Sequence, residues 1–216
     1  MTSRAHSCVV NALTFARVPL ILAWAALAVV QELLAASAGR GGVVLASVAC
    51  AAMLLSGLTD AWDGALARRW NVVSPLGKMS DPLMDKIFYI VAFPVLSWQV
   101  MRQGGNEFHG LLMVGFTILY MARDTWVTFM RSVGAMYGAD VAAMWLGKVR
   151  TALSFPGAGW IYAYLCFHAH VPPAWARLWL ASCYFVEAGL IVLTLWSLHT
   201  YTAAYLPYLK RALEHR

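Results

Sequence analysis

The chain has 216 residues, of which 61% are hydrophobic and 12% charged, and that balance excludes an ordinary water-soluble domain. Its formal charge of +6 comes without a compact basic patch, which argues against nucleic acid and for a membrane surface as the partner. Four cysteines (Cys8, Cys50, Cys166, Cys183) stand far apart with no CxxC or His/Cys spacing and read as small buried hydrophobes.

A spanning helix needs about 20 mostly apolar residues. Such stretches occur at 10–33, 42–67, 78–101, 108–131, 149–170 and 174–202, separated by breaks rich in Gly, Pro or Asn. The expected fold is therefore all-α, an integral membrane protein of six transmembrane helices forming one membrane-embedded domain over residues 1–216. The first stretch is too long for a cleavable signal peptide and shows no small-residue cleavage site. It carries Asn11, Thr14 and Arg17 as one polar stripe, facing either an internal cavity or, for Arg17, the lipid headgroups.

The second and third stretches hold the sharpest signal. Asp60 and Asp63 share a helix face with Gly64 and Ala67, and Asp81 and Asp85 share a face of the next helix, with Gly77 one turn earlier. Ten acidic residues serve the whole chain, so the four in this short span are concentrated where each carboxylate costs roughly 2.5–3.5 kcal/mol to insert unless it is offset. The connection through Asn71, Ser74 and Pro75 is short, which predicts antiparallel neighbours whose carboxylates converge. Hard oxygens of this kind suit Mg²⁺ or Mn²⁺, and four of them can bridge two ions about 4 Å apart for phosphoryl transfer. Arg68 beside them suits an anionic phosphate, and a glycine at 64 leaves room for a bulky ligand to approach the backbone. The plain alternative is a set of helix caps and interfacial ion pairs.

Arg123 and Arg131 follow in the fourth stretch, and Lys148 and Arg150 open the fifth. With both termini on the cytoplasmic side, that side holds thirteen Lys and Arg, against only Arg40, Arg102 and Arg177 on the other. The bias places the site toward the cytoplasm. Glu187 is a lone acid deep in the sixth stretch, and His168 and His170 lack metal-ligand spacing. Residues 203–216 read as an amphipathic tail on anionic lipid.

The spacing D-x2-D-G-x2-A-R-x8-G-x3-D-x3-D is met at every fixed position from Asp60 to Asp85. By that motif the chain resembles the CDP-alcohol phosphotransferase (CDP-alcohol phosphatidyltransferase) family. The resemblance implies a six-helix membrane fold, a homodimer, and a reaction in which an alcohol hydroxyl attacks the β-phosphorus of a CDP-linked lipid while CMP leaves. Carried over by position, Asp60, Asp63, Asp81 and Asp85 are metal ligands, with Asp85 also the general base. Asp60, Asp63, Gly64, Ala67, Arg68 and Gly77 are the CDP-binding positions.

Asn11-x-Leu13-Thr14-x-x-Arg17 resembles the opening common in bacterial members of the family, which implies a bacterial inner membrane, and the later Ala122-Arg123-Asp124, Met130-Arg131 and Gly147-Lys148-Val149-Arg150-Thr151 elements resemble the phosphatidylglycerophosphate synthase branch. Asp124 stands where that branch has Glu, Arg150 where it has Lys, and Ser154 near an expected Gln. Arg123, Arg131, Lys148 and Arg150 are the cations for a phosphorylated acceptor, so the resemblance implies CDP-diacylglycerol and sn-glycerol 3-phosphate as substrates. Inositol phosphate, serine and phosphatidylglycerol are the rival acceptors, and a divalent-cation transporter is the non-enzymatic rival.

Overall fold

In the computed structural model, the described residues are 3–34, 39–72, 75–103, 107–139 and 144–214. They form α1 (Ser3–Leu34), α2 (Gly39–Trp70), α3 (Pro75–Arg102), α4 (Glu107–Met136), α5 (Trp145–Phe167) and α6 (Pro173–Glu214), with a 3-10 turn over His168–His170. Every expected helix is present. Four of them (α1, α2, α3 and α6) are long and apolar enough over their described residues to cross a membrane.

Two helix ends show why the chain turns where it does. Asn71 adopts φ 52°, its N–H donates to the Arg68 carbonyl, and the Val72 N–H donates to the Ala67 carbonyl. This is a Schellman closure with Asn in the left-handed position that glycine usually fills. Gly138 does the same after α4 at φ 74°, where the Ala139 N–H reaches the Gly134 carbonyl at 2.9 Å.

The packing order differs from the expectation in one consequential way. A short connection predicts that α2 and α3 lie side by side. Instead α1 packs against both, and among the described residues α2 and α3 make no close backbone approach to each other. Fully buried Ala28 on α1 and Ala46 and Ala49 on α2 let those two helices come close. His6 stacks on Trp70 with ring centroids 4.4 Å apart and sets their register. The polar stripe of α1 thereby fills the space between the two acid-bearing helices.

The remaining helices close the bundle. α4 packs on α3 and α6, and α5 packs on α2, α3 and α6. The core joins Trp24, Phe93, Phe116, Tyr120 and Tyr162 from four helices. A second, smaller cluster (Val127, Met130, Tyr201, Tyr205) joins the ends of α4 and α6. Outward faces are apolar: Leu111, Ile118, Phe185 and Val192 are all more than half exposed. Inward faces carry His109, Thr117, Arg123, Glu187 and Thr194. Polar residues inside and apolar residues outside mark an integral membrane protein.

Residues 203–214, expected as a separate amphipathic tail, continue α6 without a break. Tyr205 is buried against Gly134, where an added methyl would stand 2.5 Å from its ring. That anchor holds the segment to α4.

Candidate active site

Arg17 is the centre around which the acids gather. It is 4% exposed. Its Nη1 donates to Asp85 Oδ1 at 3.0 Å, its Nη2 donates to Asp60, and the same Nη2 lies 3.5 Å from Asp63 Oδ2. Thr14, one turn earlier on α1, donates its hydroxyl to Asp63 Oδ2 at 2.7 Å. Two of the three stripe residues thus meet the acids, and Arg17 is turned inward rather than to the headgroups. Asn11 is half-buried on the same helix.

The carboxylates are unequally placed. Asp63 is buried, while the side chains of Asp60 and Asp85 are 54% and 38% exposed. Three carboxylates facing one guanidinium leave two negative charges to be met from elsewhere. Among the described residues no three acid, imidazole or thiol groups close into a metal-holding group. The side chains of Asp81 and Gly77 lie outside the described residues. The donor set is all oxygen with excess negative charge, which fits a hard divalent cation. The atoms nearest to a methyl placed at Gly64, among the described residues, belong to the Arg68 guanidinium at 3.5 Å. Ala67 is half-buried and Arg68 exposed.

Two adjoining cavities meet at the acids. The smaller, about 290 Å³, is lined by Arg17, Asp60, Asp85, Gly57 and Phe155 among others. The larger, about 560 Å³, shares Asp60, Asp85 and Tyr89 with it and is also lined by Lys86, Arg123, Arg131, Lys148 and Arg150. All four expected acceptor cations therefore line one chamber together with Asp60 and Asp85.

Within that chamber Asp124 Oδ1 accepts from Arg123 Nη1 at 2.9 Å and from Arg150 Nη2 at 2.5 Å. Arg150, 2% exposed, lies over the Tyr120 ring at 3.9 Å, and Arg123 lies over Tyr201 at 5.0 Å. Such stacking favours guanidinium groups, whose flat face lies on a ring, over lysine. Lys86 donates to Thr128 at 2.9 Å. Sequence reasoning marked Asp124 only as a departure and passed over Tyr89, Tyr120, Ser197 and Tyr201. The acid next to Arg123 was a usable signal for Asp124, whereas the others carry no spacing that would single them out.

Glu187 belongs elsewhere. Its Oε1 lies 2.7 Å from His109 Nε2, and neither chamber includes it. It is a hydrogen-bonded buried acid.

Residues 8–186 match the CDP-alcohol phosphatidyltransferase family. The chain belongs to this family. As such it is a phospholipid-synthesis transferase acting on a CDP-alcohol and a lipid substrate. It is 28% identical over 152 residues to CDP-diacylglycerol–glycerol-3-phosphate 3-phosphatidyltransferase of Salmonella typhimurium (strain LT2), covering 69% of this chain and 74% of that protein. The enzymes of the same description from Escherichia coli (strain K12) and Shigella flexneri serotype 5b stand at the same identity and coverage. No solved structure matches the chain significantly.

Proposed function

We propose that the protein transfers the phosphatidyl group of CDP-diacylglycerol to sn-glycerol 3-phosphate, giving phosphatidylglycerophosphate and CMP. The observation that carries this reading is the shared chamber, lined both by Asp60 and Asp85 and by Arg123, Arg131, Lys148 and Arg150. An acceptor held by its phosphate on the cations presents a hydroxyl toward Asp85. The similarity to enzymes named for glycerol 3-phosphate points the same way.

In this reading Asp85 takes the proton from the acceptor hydroxyl as its oxygen bonds to the β-phosphorus. The bond from that phosphorus to the CMP oxygen breaks, and its electron pair leaves with CMP. Asp60, Asp63, Asp81 and Asp85 would hold Mg²⁺ or Mn²⁺, as two ions, whose charge would neutralise the diphosphate and the departing CMP. The face of α2 at Gly64, Ala67 and Arg68, together with Gly77, takes the cytidine nucleotide. An apolar groove of about 440 Å³ along α5 and α6 shares the lining residue Pro156 with the smaller cavity and suits an acyl chain. All six helices cross the bilayer as one domain, both termini and the site face the cytoplasm, and the enzyme works as a homodimer.

The test is CMP release by detergent-purified protein with CDP-diacylglycerol and Mg²⁺ or Mn²⁺, offered glycerol 3-phosphate, inositol phosphate, inositol, serine or phosphatidylglycerol separately. Release should require glycerol 3-phosphate and metal, and Asp85→Asn should lower it roughly 10²–10⁴-fold while sparing binding of the CDP-lipid. Release driven by another acceptor would discard the substrate, and near-normal release by Asp85→Asn would discard the base.

A further inference from the structure

The part of α6 beyond residue 186 lies outside the stretch matched to the family, yet two of its side chains reach the basic chamber. Ser197, fully buried, accepts a hydrogen bond from Arg123 Nη2. Tyr201, 2% exposed, lies under the Arg123 guanidinium. Its hydroxyl accepts the backbone N–H of Met144 at 2.7 Å. Met144 is the N-cap of α5 and its own side chain makes no cap, so Tyr201 supplies an acceptor for one backbone donor at this helix start. Gly147 closes the arrangement. A methyl there would stand 2.9 Å from the Tyr201 hydroxyl and 3.5 Å from Arg123 Nη2.

One tyrosine thus touches a cation from α4 and the start of α5, which carries Lys148 in its first turn and Arg150 in its second. The α4–α6 packing does not depend on its hydroxyl, because Val127, Met130 and the rings of Tyr201 and Tyr205 supply that contact. Among the described residues the hydroxyl's hydrogen-bond partner is the Met144 N–H, whose position matters to the chamber.

We propose that Tyr201 is a positioning residue that fixes the Lys148–Arg150 end of α5 against Arg123, and that residue 147 is glycine because the Tyr201 hydroxyl occupies the space of a side chain. This deepens, and rests on, the reading of the chamber as the site of the acceptor's phosphate. Loss of the hydroxyl lets the α5 start shift and changes the spacing of the cations, without touching the nucleotide side.

Four proteins test it: wild type, Tyr201→Phe, Gly147→Ala and the double variant, each assayed for CMP release with CDP-diacylglycerol and glycerol 3-phosphate and melted in detergent. Tyr201→Phe keeps the ring and should raise the acceptor KM roughly threefold to tenfold, the size expected for one hydrogen bond. The KM for CDP-diacylglycerol and the melting temperature should hold. Gly147→Ala should raise the acceptor KM at least as much. The double variant should be no worse than Tyr201→Phe, since removing the hydroxyl clears the space for the methyl. An unchanged acceptor KM in Tyr201→Phe, a rise of both substrates' KM together, or defects that add in the double variant would overturn the inference. A wild-type enzyme whose turnover ignores glycerol 3-phosphate would instead overturn the site reading, and the inference with it.

Discussion

Three carboxylates around Arg17 leave the guanidinium outnumbered, and this imbalance is the most chemically informative fact at the residue scale. Removing the cation as Arg17→Gln should destabilise the metal-free protein by roughly 1–3 kcal/mol. That is below the figure for a fully buried pair because Asp60 and Asp85 remain partly exposed. Mn²⁺ should then raise the melting temperature of the variant by more than it raises that of the wild type, since the ion takes over as the counter-charge. A smaller rise in the variant would show that the ion and Arg17 do not share these acids. In the larger chamber, Lys148→Ala and Arg131→Ala should each raise the acceptor KM about tenfold or more, as expected for a charge-assisted contact. An unchanged acceptor KM in both would reduce these cations to helix anchors.

At the scale of elements, the bundle depends on turns that force a change of direction. Asn71 holds a left-handed conformation that costs a β-branched residue about 1–2 kcal/mol. Asn71→Ile should therefore lower thermal stability by that amount, while Asn71→Gly should leave it nearly unchanged; equal effects would remove the Schellman closure as the cause. The helices themselves were legible because apolar runs of this length have few other outcomes, and the acids were legible because 3.6 residues per turn puts Asp60 and Asp63 on one face. The placement of α1 between α2 and α3 was not, because a short link constrains where two helix ends lie but not what passes between their faces. Ser197 and Tyr201 were hidden for a related reason. Their roles come from partners on α4 and α5, and nothing in the run of α6 distinguishes them from a packed Ser and Tyr.

For the whole molecule, the proposed orientation assigns sides to the two ends of α6. Glu214 and His170 are both exposed and near opposite ends of that region. In a Cys8→Ser background, Glu214→Cys should react with a membrane-impermeant maleimide in inverted vesicles and His170→Cys in right-side-out ones. The reverse pattern would turn the protein over and place the chamber outside. The position of α1 also bears on how the chain is assembled. Helices leave the ribosome in sequence order, so α1 reaches the bilayer before α2 brings Asp63 into it. The first hairpin can then enter with that acid already hydrogen-bonded to Thr14 and close to Arg17, while Asp85 waits for α3. A chain starting at α2 would meet the insertion machinery with its buried acid unaccompanied, and α1 serves in this sense as an internal escort for the residues it later holds apart.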